Sequence, residues 1–389
     1  MSEQKFLIVT GEPSGDLLGA SLMQEMRKDF PGAKFYGIGG EAMSQEGLDS
    51  LTDIEAMTVI GFAGILRKYR FLKSLANRLV QLSKQENISH AILIDYPGFN
   101  LRLAEMLDEM GVKIVFYVSP QIWAWRFKRV YFIQKHIGLM LTLFSFEKEI
   151  YEKHAVNAKW VGHPLLPRLE KKIANPQPLP LVAGHRIITL MPGSRTSEIT
   201  RLLPILLQTA QYLQNLLPEE KFHFLIPGIS KKNEDFIVKS LEDFKEQSPH
   251  TEVFYHFDRS AECIQAADLV ILASGTATLE VTALQKPMII TYQTGFLTYH
   301  IGVRVKQTKH IGMVNILAGD TTVCKEFLQK EAKADKIATE AKRILTDTEY
   351  RENMLKELSR VKSLLGDTDP SQKASKFILE WMQADSPDE

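Results

Sequence analysis

Cysteine is scarce in this sequence of 389 residues, which contains only Cys263 and Cys324. Two isolated thiols cannot form a disulfide framework and lack the spacing of a zinc site, so they indicate a reducing compartment. Net charge is also absent, because 47 Lys and Arg balance 47 Asp and Glu. This balance argues against a surface built throughout to bind nucleic acid or an anionic membrane, although it leaves local patches open.

Long apolar runs are missing as well. The apolar segment that precedes Gly11 is too short for the core of a signal peptide. The longest apolar stretch, near Ile137–Phe146, covers about ten residues, well under the roughly 20 needed to cross a bilayer. We therefore expect a cytoplasmic protein. The length suits two domains, and the 44% hydrophobic content is typical of a packed fold.

The sequence repeats one local order, an apolar run followed by a glycine-containing turn and a helix. Phe6–Thr10 lacks polar alternation, and helical spacing begins at Asp16. Arg186–Met191 opens a second series of the same kind, as buried parallel strands of α/β domains do. Further strands are predicted at Lys34–Ile38, Ala91–Ile94, Lys113–Val118, Phe222–Ile226, Leu269–Leu272 and Met288–Thr291, and helices at Arg70–Gln85, Leu101–Glu109, Ala261–Ala267, Thr276–Leu284, Ala332–Thr346 and Gln372–Gln383.

Five prolines between residues 164 and 184 separate the two series and predict a connection between domains. We expect an α/β fold with a Rossmann-like domain at residues 1–165, the connection at 166–184, a second Rossmann-like domain at 185–365, and a terminal helix within 366–389. Ligands of doubly wound parallel sheets bind beyond the carboxyl ends of the strands. The turns that follow the strands are therefore the candidates for chemistry.

The first such turn is Gly11–Asp16, which is neither a P-loop nor a Gly-x-Gly-x-x-Gly fingerprint. Its glycines would let a ligand approach the backbone closely, and its polar side chains would line a cleft. Glu12, Ser14 and Asp16 are the candidate cleft residues. The alternative is a tight turn in which Asp16 caps a helix.

Asp95 ends another apolar run and opens the segment Asp95–Asn100. A carboxylate at the carboxyl edge of a core strand is well placed to act as a general base, with Asn100 in the same cleft. An Asx turn before Pro97 is the alternative for Asp95. The residue pattern alone leaves both interpretations open.

Two turns in the second half could bind anions. Each follows a predicted strand and opens a helix, where free backbone N–H groups attract phosphate. The candidate residues are Ser194 and Arg195 in one turn, and Ser274, Gly275, Thr276 and Glu280 in the other. Two such turns in one domain suit a diphosphate, although each alone is consistent with ordinary helix capping.

The segment Ser119–Phe132 combines aromatic and basic residues without a nearby acid. Aromatic rings interleaved with cations suit a membrane interface or an amphiphilic anionic substrate. They could also stack on bases, but no nucleic-acid-binding module accompanies them. A buried aromatic core edge with a solvated basic face is the remaining alternative. The candidate binding residues are Trp123, Trp125, Arg126 and Arg129.

Patterns typical of other chemistries are weak. The Asp-x-Asp pair of Asp367 and Asp369 lies in a polar stretch before the terminal helix, and the ten histidines lack metal-ligand spacing. No Gly-x-Ser-x-Gly elbow indicates a hydrolase. We expect neither a metal nor a cofactor, and no nucleic-acid partner.

Taken together and in order, these segments resemble the lipid-A-disaccharide synthase family of inverting GT-B glycosyltransferases. Each match alone is weak, but the ordered set is specific. The matching segments are Gly11–Asp16, Asp95–Asn100, Tyr117–Arg126, Val161–Pro164, Pro192–Arg195, Ala273–Ala277 with Glu280, Asn315–Gly319 and Glu326–Gln329. Gly64, Ser145 and Val314 depart from the residues common in the family, where Glu, Pro and Pro are usual.

The resemblance implies transfer of 2,3-diacylglucosamine from its UDP carrier to 2,3-diacylglucosamine 1-phosphate, giving a β-1,6-linked disaccharide and UDP. It implies that Asp95 is the base and that Arg195, Glu280 and Asn315 contact donor or phosphate. It further implies two domains facing a central cleft, a terminal helix that returns to the first domain, and peripheral association with the inner-membrane surface. A homodimer stays open.

Two other functions share parts of this pattern. A non-hydrolysing UDP-sugar epimerase would have the same two-domain plan and UDP site, but it has no need of the aromatic and basic segment. A sugar-nucleotide binding protein without activity would give no reason for an acid at Asp95.

Overall fold

The computed structural model describes residues 4–54, 57, 65–294, 308–366 and 368–384. The departure at Gly64 and the acid at Asp367 lie outside the described residues. The chain divides into two compact units, Met1–Pro164 with Leu365–Glu389, and Leu165–Leu364. Each unit is described below by itself.

Thirteen strands and fifteen α-helices cover most of the described chain. The strands are β1 Lys5–Thr10, β2 Lys34–Gly39, β3 Leu48–Asp53, β4 His90–Ile94, β5 Lys113–Tyr117, β6 Leu139–Thr142, β7 Ala158–Trp160, β8 Arg186–Met191, β9 Phe222–Gly228, β10 Val253–Phe257, β11 Leu269–Ala273, β12 Met288–Tyr292 and β13 Glu326–Leu328. The helices are α1 Pro13–Asp29, α2 Glu41–Gln45, α3 Ile65–Gln85, α4 Pro97–Asp108, α5 Arg129–His136, α6 Ser145–Glu152, α7 Leu165–Ile173, α8 Thr196–Leu216, α9 Glu234–Gln247, α10 Ser260–Ala266, α11 Ala277–Ala283, α12 Met313–Leu317, α13 Ala334–Thr346, α14 Thr348–Ser363 and α15 Pro370–Ala384.

The first unit contains a parallel sheet in the order β3-β2-β1-β4-β5-β6-β7. Its central strands are apolar along their whole length because helices cover both faces. Phe6, Leu7, Ile8 and Val9 of β1 are fully buried and alternate between the two core clusters that flank the sheet. The strand order reverses between β1 and β4, which defines the switch point of this sheet.

The terminal helix α15 belongs to the first unit. Ser375 donates a hydrogen bond to Asp29 Oδ2 of α1 at 2.7 Å, and Trp381 packs edge-on against His90 at the start of β4. The buried Ala374 and Ile378 join the core cluster of β1 on the same face of the sheet. The helix therefore adds apolar cover to a sheet that is built more than 200 residues earlier in the chain.

The second unit has a six-stranded parallel sheet in the order β10-β9-β8-β11-β12-β13. The order again reverses between its first strand, β8, and its fourth, β11. The opening strand Arg186–Met191 matches the predicted strand, and the long helix Thr196–Leu216 follows it after one turn. Both sheets are therefore doubly wound, as the repeated pattern of strand, turn and helix predicted.

The structure differs from the prediction in the proline-rich stretch. Residues 166–173 belong to the predicted connection, but together with Leu165 they form helix α7. Leu169 of α7 is buried against Ala261 of α10 and Ala283 of α11, so this helix is part of the second unit. Pro167 lies in the first turn of α7, where the missing N–H of proline costs no intrahelical hydrogen bond.

Other elements were not predicted because their apolar patterns are short or broken. Strands β3, β7, β10 and β13 have partly exposed side chains, so they lack the unbroken apolar run that marks a central strand. Within the described part of the chain, no helix is long and apolar enough to cross a membrane.

Candidate functional site

The two turns at the switch point of the first sheet lie against each other. One turn follows β1 and begins at Gly11; the other follows β4 and contains Asp95 and Tyr96. A Cβ placed on Gly11 would lie only 2.6 Å from the Tyr96 ring, so glycine is required there for close packing. The structure therefore brings together two of the turns that are predicted to carry chemistry.

The backbone of Asp95 adopts an unusual conformation at this point. Its φ of 50° lies in the left-handed region, and its N–H donates to Tyr117 O at 2.8 Å. Burial, followed by the nearby charge of Glu12, raises the pKa of the Asp95 carboxyl, and a hydrogen bond from the Tyr96 backbone opposes the rise. A carboxyl with increased proton affinity is better suited to take a proton from a hydroxyl than an ordinary surface aspartate.

Asn100 lies fully buried one turn into helix α4. Its Nδ2 donates to Asp95 O at 2.8 Å and to Ile94 O at 3.1 Å. The predicted position of Asn100 in a ligand cleft is therefore wrong, since its side chain is enclosed and its amide bonds the backbone at the end of β4.

The Gly11–Asp16 turn also differs from its predicted role. The Asp16 carboxylate accepts hydrogen bonds from Gly40 N at 2.7 Å, Ala42 N at 3.0 Å and Met43 N at 3.1 Å. It caps helix α2 and is only 6% exposed, so it is not a free acid in a cleft. Glu12 and Ser14, in contrast, are exposed at the start of α1.

The aromatic and basic segment divides into a buried part and an exposed part. Trp123 is buried, packs edge-on against Phe146 and donates from Nε1 to Glu147 Oε1 at 3.0 Å. Trp125 is 56% exposed, and Arg126 beside it is exposed as well. Only the exposed part is available to a ligand or a surface.

Arg129 is half-buried at the start of α5. Burial and the neighbouring Arg126 charge lower the pKa of its guanidinium. Both effects disfavour the charged form, and an anionic group placed against the pair would relieve the repulsion.

Glu147 is a notable residue that sequence reasoning missed. It is buried on α6, accepts from Trp123 and from Phe144 N, and burial raises its pKa to about 7. A buried acid shows no sequence signal of its own, because only the fold places it under the tryptophan. Its effect is to hold the buried end of the aromatic segment.

The switch point of the second sheet contains a cavity of about 320 Å³. The turns after β8 and β11 line it, together with residues from the ends of β9 and β10. Its lining includes all the predicted anion-binding residues of these turns, namely Ser194, Arg195, Ser274, Gly275, Thr276 and Glu280, and also Lys172, Glu198, Pro227 and Asp258, which were not predicted. A pocket at this position is where doubly wound sheets bind nucleotides.

In the turn after β8, the backbone N–H groups predicted to bind phosphate already have an acceptor. Glu198 Oε2 accepts from Ser194 N and Arg195 N at 3.3 Å each, and Glu198 Oε1 pairs with Arg195 Nη1 at 3.1 Å. Gly193, at φ 106°, lets this carboxylate approach, since a Cβ there would lie 2.6 Å from Glu198 Oε2. Helix capping, the alternative considered for this turn, describes the structure better than a vacant anion site.

The turn after β11 is more open. Among the described residues, no carbonyl or side chain accepts from Gly275 N or Thr276 N, and a Cβ on Gly275 would meet no atom within 4 Å. Ser274 donates from Oγ to Ile311 O at 3.1 Å, which connects the turn to the segment around Ile311. Free donors and open space make this turn the better anion site of the two.

Glu280 and Lys172 both line the same cavity. Burial raises the pKa of the Glu280 carboxyl, while the charge of Lys172 opposes the rise. Lys172 comes from helix α7, within the predicted connection, so the sequence alone could not place it here. The pair offers both an acceptor and a cation to a polar ligand.

Asn315 lies outside the cavity lining and is fully buried. Its Nδ2 donates to Cys324 O and Glu326 Oε1, and its Oδ1 accepts from Val323 N and Cys324 N. Direct contact of Asn315 with a ligand, which the resemblance implied, therefore does not fit the structure. Glu326 also accepts from Ile311 N and Gly312 N, so the network shapes the loop that Ser274 contacts.

Metal ligation has little support from the arrangement of acids, histidines and cysteines. Throughout residues 4–54, 57, 65–294, 308–366 and 368–384, no three such side chains are placed to hold an ion.

Comparison with known proteins relates this arrangement to one family. A family model described as lipid-A-disaccharide synthetase matches residues 6–378. The chain is 35% identical over 383 residues to a lipid-A-disaccharide synthase from Trichlorobacter lovleyi, covering 98% of each chain. It is 36% identical over 384 residues to one from Geobacter sulfurreducens, again covering 98% of each.

Solved structures show the same fold at low identity. A putative UDP-N-acetylglucosamine 2-epimerase from Listeria monocytogenes aligns with a TM-score of 0.65 at 10% identity, over 99% of this chain and 98% of that one. MurG from Acinetobacter baumannii aligns with a TM-score of 0.56 at 9% identity, over 98% and 99%. The fold is the GT-B arrangement of two parallel α/β domains, and over nearly its whole length the chain belongs to the lipid-A-disaccharide synthetase family.

Proposed function

We propose that the chain transfers 2,3-diacylglucosamine from UDP to the 6-hydroxyl of 2,3-diacylglucosamine 1-phosphate. The products are the β-1,6-linked disaccharide 1-phosphate and UDP, formed with inversion and without a metal. The family supplies the reaction, and one observation in this chain supports it most: a half-buried carboxyl, with its pKa raised by burial, at the carboxyl end of β4. A binding protein has no need of such a group.

The second unit binds the UDP donor in this proposal. Its diphosphate lies at the open turn Ser274–Thr276, where the backbone N–H groups of Gly275 and Thr276 have no acceptor among the described residues. Arg195, 78% exposed, is free to move from Glu198 to the diphosphate. Glu280 accepts hydrogen bonds from ribose hydroxyls. Negative charge that develops on departing UDP is stabilised by these donors and by Lys172.

The first unit binds the acceptor. Asp95 removes the proton of the 6-hydroxyl as that oxygen attacks the anomeric carbon, which has oxocarbenium character in the transition state. A single carboxylate suffices, since UDP is already a good leaving group and needs no general acid. Glu12 and Ser14, both exposed beside this turn, line the acceptor side.

The acceptor carries acyl chains and a phosphate, so its site must accommodate an amphiphile. Trp125 and Tyr131 are 56% and 61% exposed, and Arg126 and Lys128 between them are also exposed. Exposed rings beside cations favour the interface of an anionic bilayer. We propose that this exposed patch, which we call the Trp125 patch, attaches the enzyme peripherally to the inner membrane from the cytoplasmic side.

An assay of products separates this function from the alternatives. The protein is incubated with UDP-2,3-diacylglucosamine and 2,3-diacylglucosamine 1-phosphate, and the mixture is analysed for UDP and disaccharide phosphate. Both products are expected in equal amounts, with the β configuration at the new bond, and EDTA should leave the rate unchanged. An epimerase would convert the donor alone, a binding protein would release nothing, and a strict need for metal would contradict the proposed charge stabilisation.

A further inference from the structure

The backbone at the end of β4 is held in a conformation that side chains rarely adopt. Asp95 and Tyr96 are consecutive non-glycine residues in the left-handed region, with φ values of 50° and 47°. Each such residue is strained relative to an ordinary conformation, so the surroundings must impose it. Because the strain falls on the residue that bears the proposed base, whatever imposes it also aims the carboxyl.

Asn100 is the side chain that bonds this turn from inside the protein. Its Nδ2 lies 2.8 Å from Asp95 O and 3.1 Å from Ile94 O, with Val9 O at 3.5 Å. One amide group therefore connects the carboxyl ends of β1 and β4, the two strands that flank the switch point. The Asn100 Oδ1 has no hydrogen-bond partner among the described residues, so the donors alone set the orientation of the amide.

The rest of the turn is constrained by packing and by the neighbouring strand. The Tyr96 ring packs on Gly11 and lies 6.3 Å from the Phe99 ring, and Asp95 N donates to Tyr117 O. These contacts hold the ring and one end of the turn. Two successive left-handed residues require the Asp95 carbonyl to point inward. Asn100 holds this carbonyl by donating a hydrogen bond to it.

We infer that Asn100 is a positioning residue that fixes the left-handed Asp95–Tyr96 turn and thereby the direction of the Asp95 carboxyl. The inference rests on the proposed function, because it assigns a purpose to Asn100 only if Asp95 takes the proton. It differs from a simple structural role in one respect. Loss of the Asn100 amide should disturb catalysis through the turn, and relieving the strain of the turn should restore it.

The test is a double-mutant cycle in the full-length protein. Asn100→Ala is expected to lower kcat about 100-fold, as a small misplacement of a catalytic group does, with the KM for the UDP donor unchanged. Tyr96→Gly adopts the left-handed region without strain, so in that background the loss from Asn100→Ala should be clearly smaller. Equal losses in both backgrounds would overturn the inference.

Further variants control for stability and for the base itself. Ser83→Ala removes another buried side-chain hydrogen bond of the same unit, from Ser83 Oγ to Leu79 O, and should leave kcat unchanged. If Asn100→Ala does not fold, Asn100→Ser, which keeps one donor, gives the same comparison. If Asp95→Asn keeps its kcat, the proposed base is wrong; if Asp95→Asn loses activity while the folded Asn100 variant keeps it, only the positioning role is wrong.

The pH dependence supplies a readout that stability does not affect. Burial holds the pKa of Asp95 above its ordinary value, with the charge of Glu12 adding to the rise and a hydrogen bond from the Tyr96 backbone opposing it. A loosened turn exposes the carboxyl, so the acidic limb of kcat/KM for Asn100→Ala should move to lower pH. An unchanged limb would contradict the inference.

Discussion

At the scale of single residues, the first unit shows two aspartates that follow apolar strands and have opposite surroundings. Asp16 accepts three backbone hydrogen bonds and caps α2, whereas burial and Glu12 raise the pKa of Asp95. Sequence position alone could not separate them, because both lie in turns after core strands. The hydrogen bonds to Asp16 come from residues about 25 positions further on, which only the fold brings near.

Glu12 offers a direct way to alter the base without touching it. The Glu12 charge raises the pKa of Asp95, so Glu12→Gln should lower that pKa and keep the base ionised to lower pH. We expect the acidic limb of the kcat/KM profile to move to lower pH. Steady-state kinetics between about pH 4 and pH 8 measure it, since that range brackets an aspartate of raised pKa. A limb that stays in place, or moves upward, would show that Glu12 does not act on the base.

His223 in the second unit should make stability depend on pH. It is fully buried against Phe254, and neither ring nitrogen has a hydrogen-bond partner among the described residues. Burial lowers the pKa of His223. The charges of His185 and His256 also lower it, while the charge of Glu252 opposes the shift. A lowered folded pKa means that stability is complete above about pH 6.5, the ordinary value, and is lost as pH falls below it.

His223→Phe should therefore reduce the loss of stability that occurs as pH falls. Urea unfolding at pH 7.5 and at pH 5.5 is expected to show a smaller difference in unfolding free energy for the variant than for the wild type. The exposed His250, changed to Phe in the same way, serves as the control and should keep the wild-type difference. Equal pH dependence in His223→Phe and wild type would refute the explanation.

At the scale of elements, the turn after β8 shows where pattern and structure separate. The glycine, hydroxyl and guanidinium of that turn predicted an anion site, but Glu198 in the first turn of α8 accepts the same N–H groups. An acid in a first helical turn is itself a recognisable capping signal, so this result was open to prediction. Helix α7 was not open to prediction in this way, because five nearby prolines masked a short amphipathic segment.

In the proposed site, Glu198 therefore competes with the donor diphosphate for the guanidinium of Arg195. Glu198→Gln keeps an acceptor oxygen but removes the charge, and it should strengthen UDP binding by roughly fivefold, as expected for about 1 kcal/mol of relieved repulsion near a surface. Calorimetric titration with UDP measures the change. Glu219→Gln, an exposed acid beyond the other end of α8, is the matched control and should leave UDP affinity unchanged. Weaker UDP binding by Glu198→Gln would show that Glu198 helps to hold the donor.

At the scale of the whole molecule, the zero net charge conceals an uneven distribution. Residues 61–80 contain five Lys or Arg and residues 122–136 contain four, and neither stretch contains Asp or Glu. The fold class followed from the repeated apolar pattern, because buried parallel strands carry a strong signal. The exposure of Trp125 beside the buried Trp123 could not be predicted from the sequence, since two tryptophans that lie two residues apart look alike there.

The Trp125 patch should measurably attach the protein to membranes. Trp125→Ala should reduce binding to vesicles of anionic phospholipid roughly tenfold, as expected for the loss of a large apolar group from the interface. Vesicle flotation measures the bound fraction. Tyr212→Ala removes an exposed aromatic residue of the second unit and should leave binding unchanged. Equal effects of the two variants, or none from Trp125→Ala, would refute membrane contact through this patch.

The most direct test of the proposed function is Asp95→Asn, which keeps the shape of the side chain and removes the base. Transfer of diacylglucosamine to the acceptor should fall by about 1,000-fold, while affinity for the UDP donor, measured by calorimetry, stays close to that of the wild type. Retained transfer would contradict the account, and equal loss of transfer and donor binding would show that Asp95 is structural.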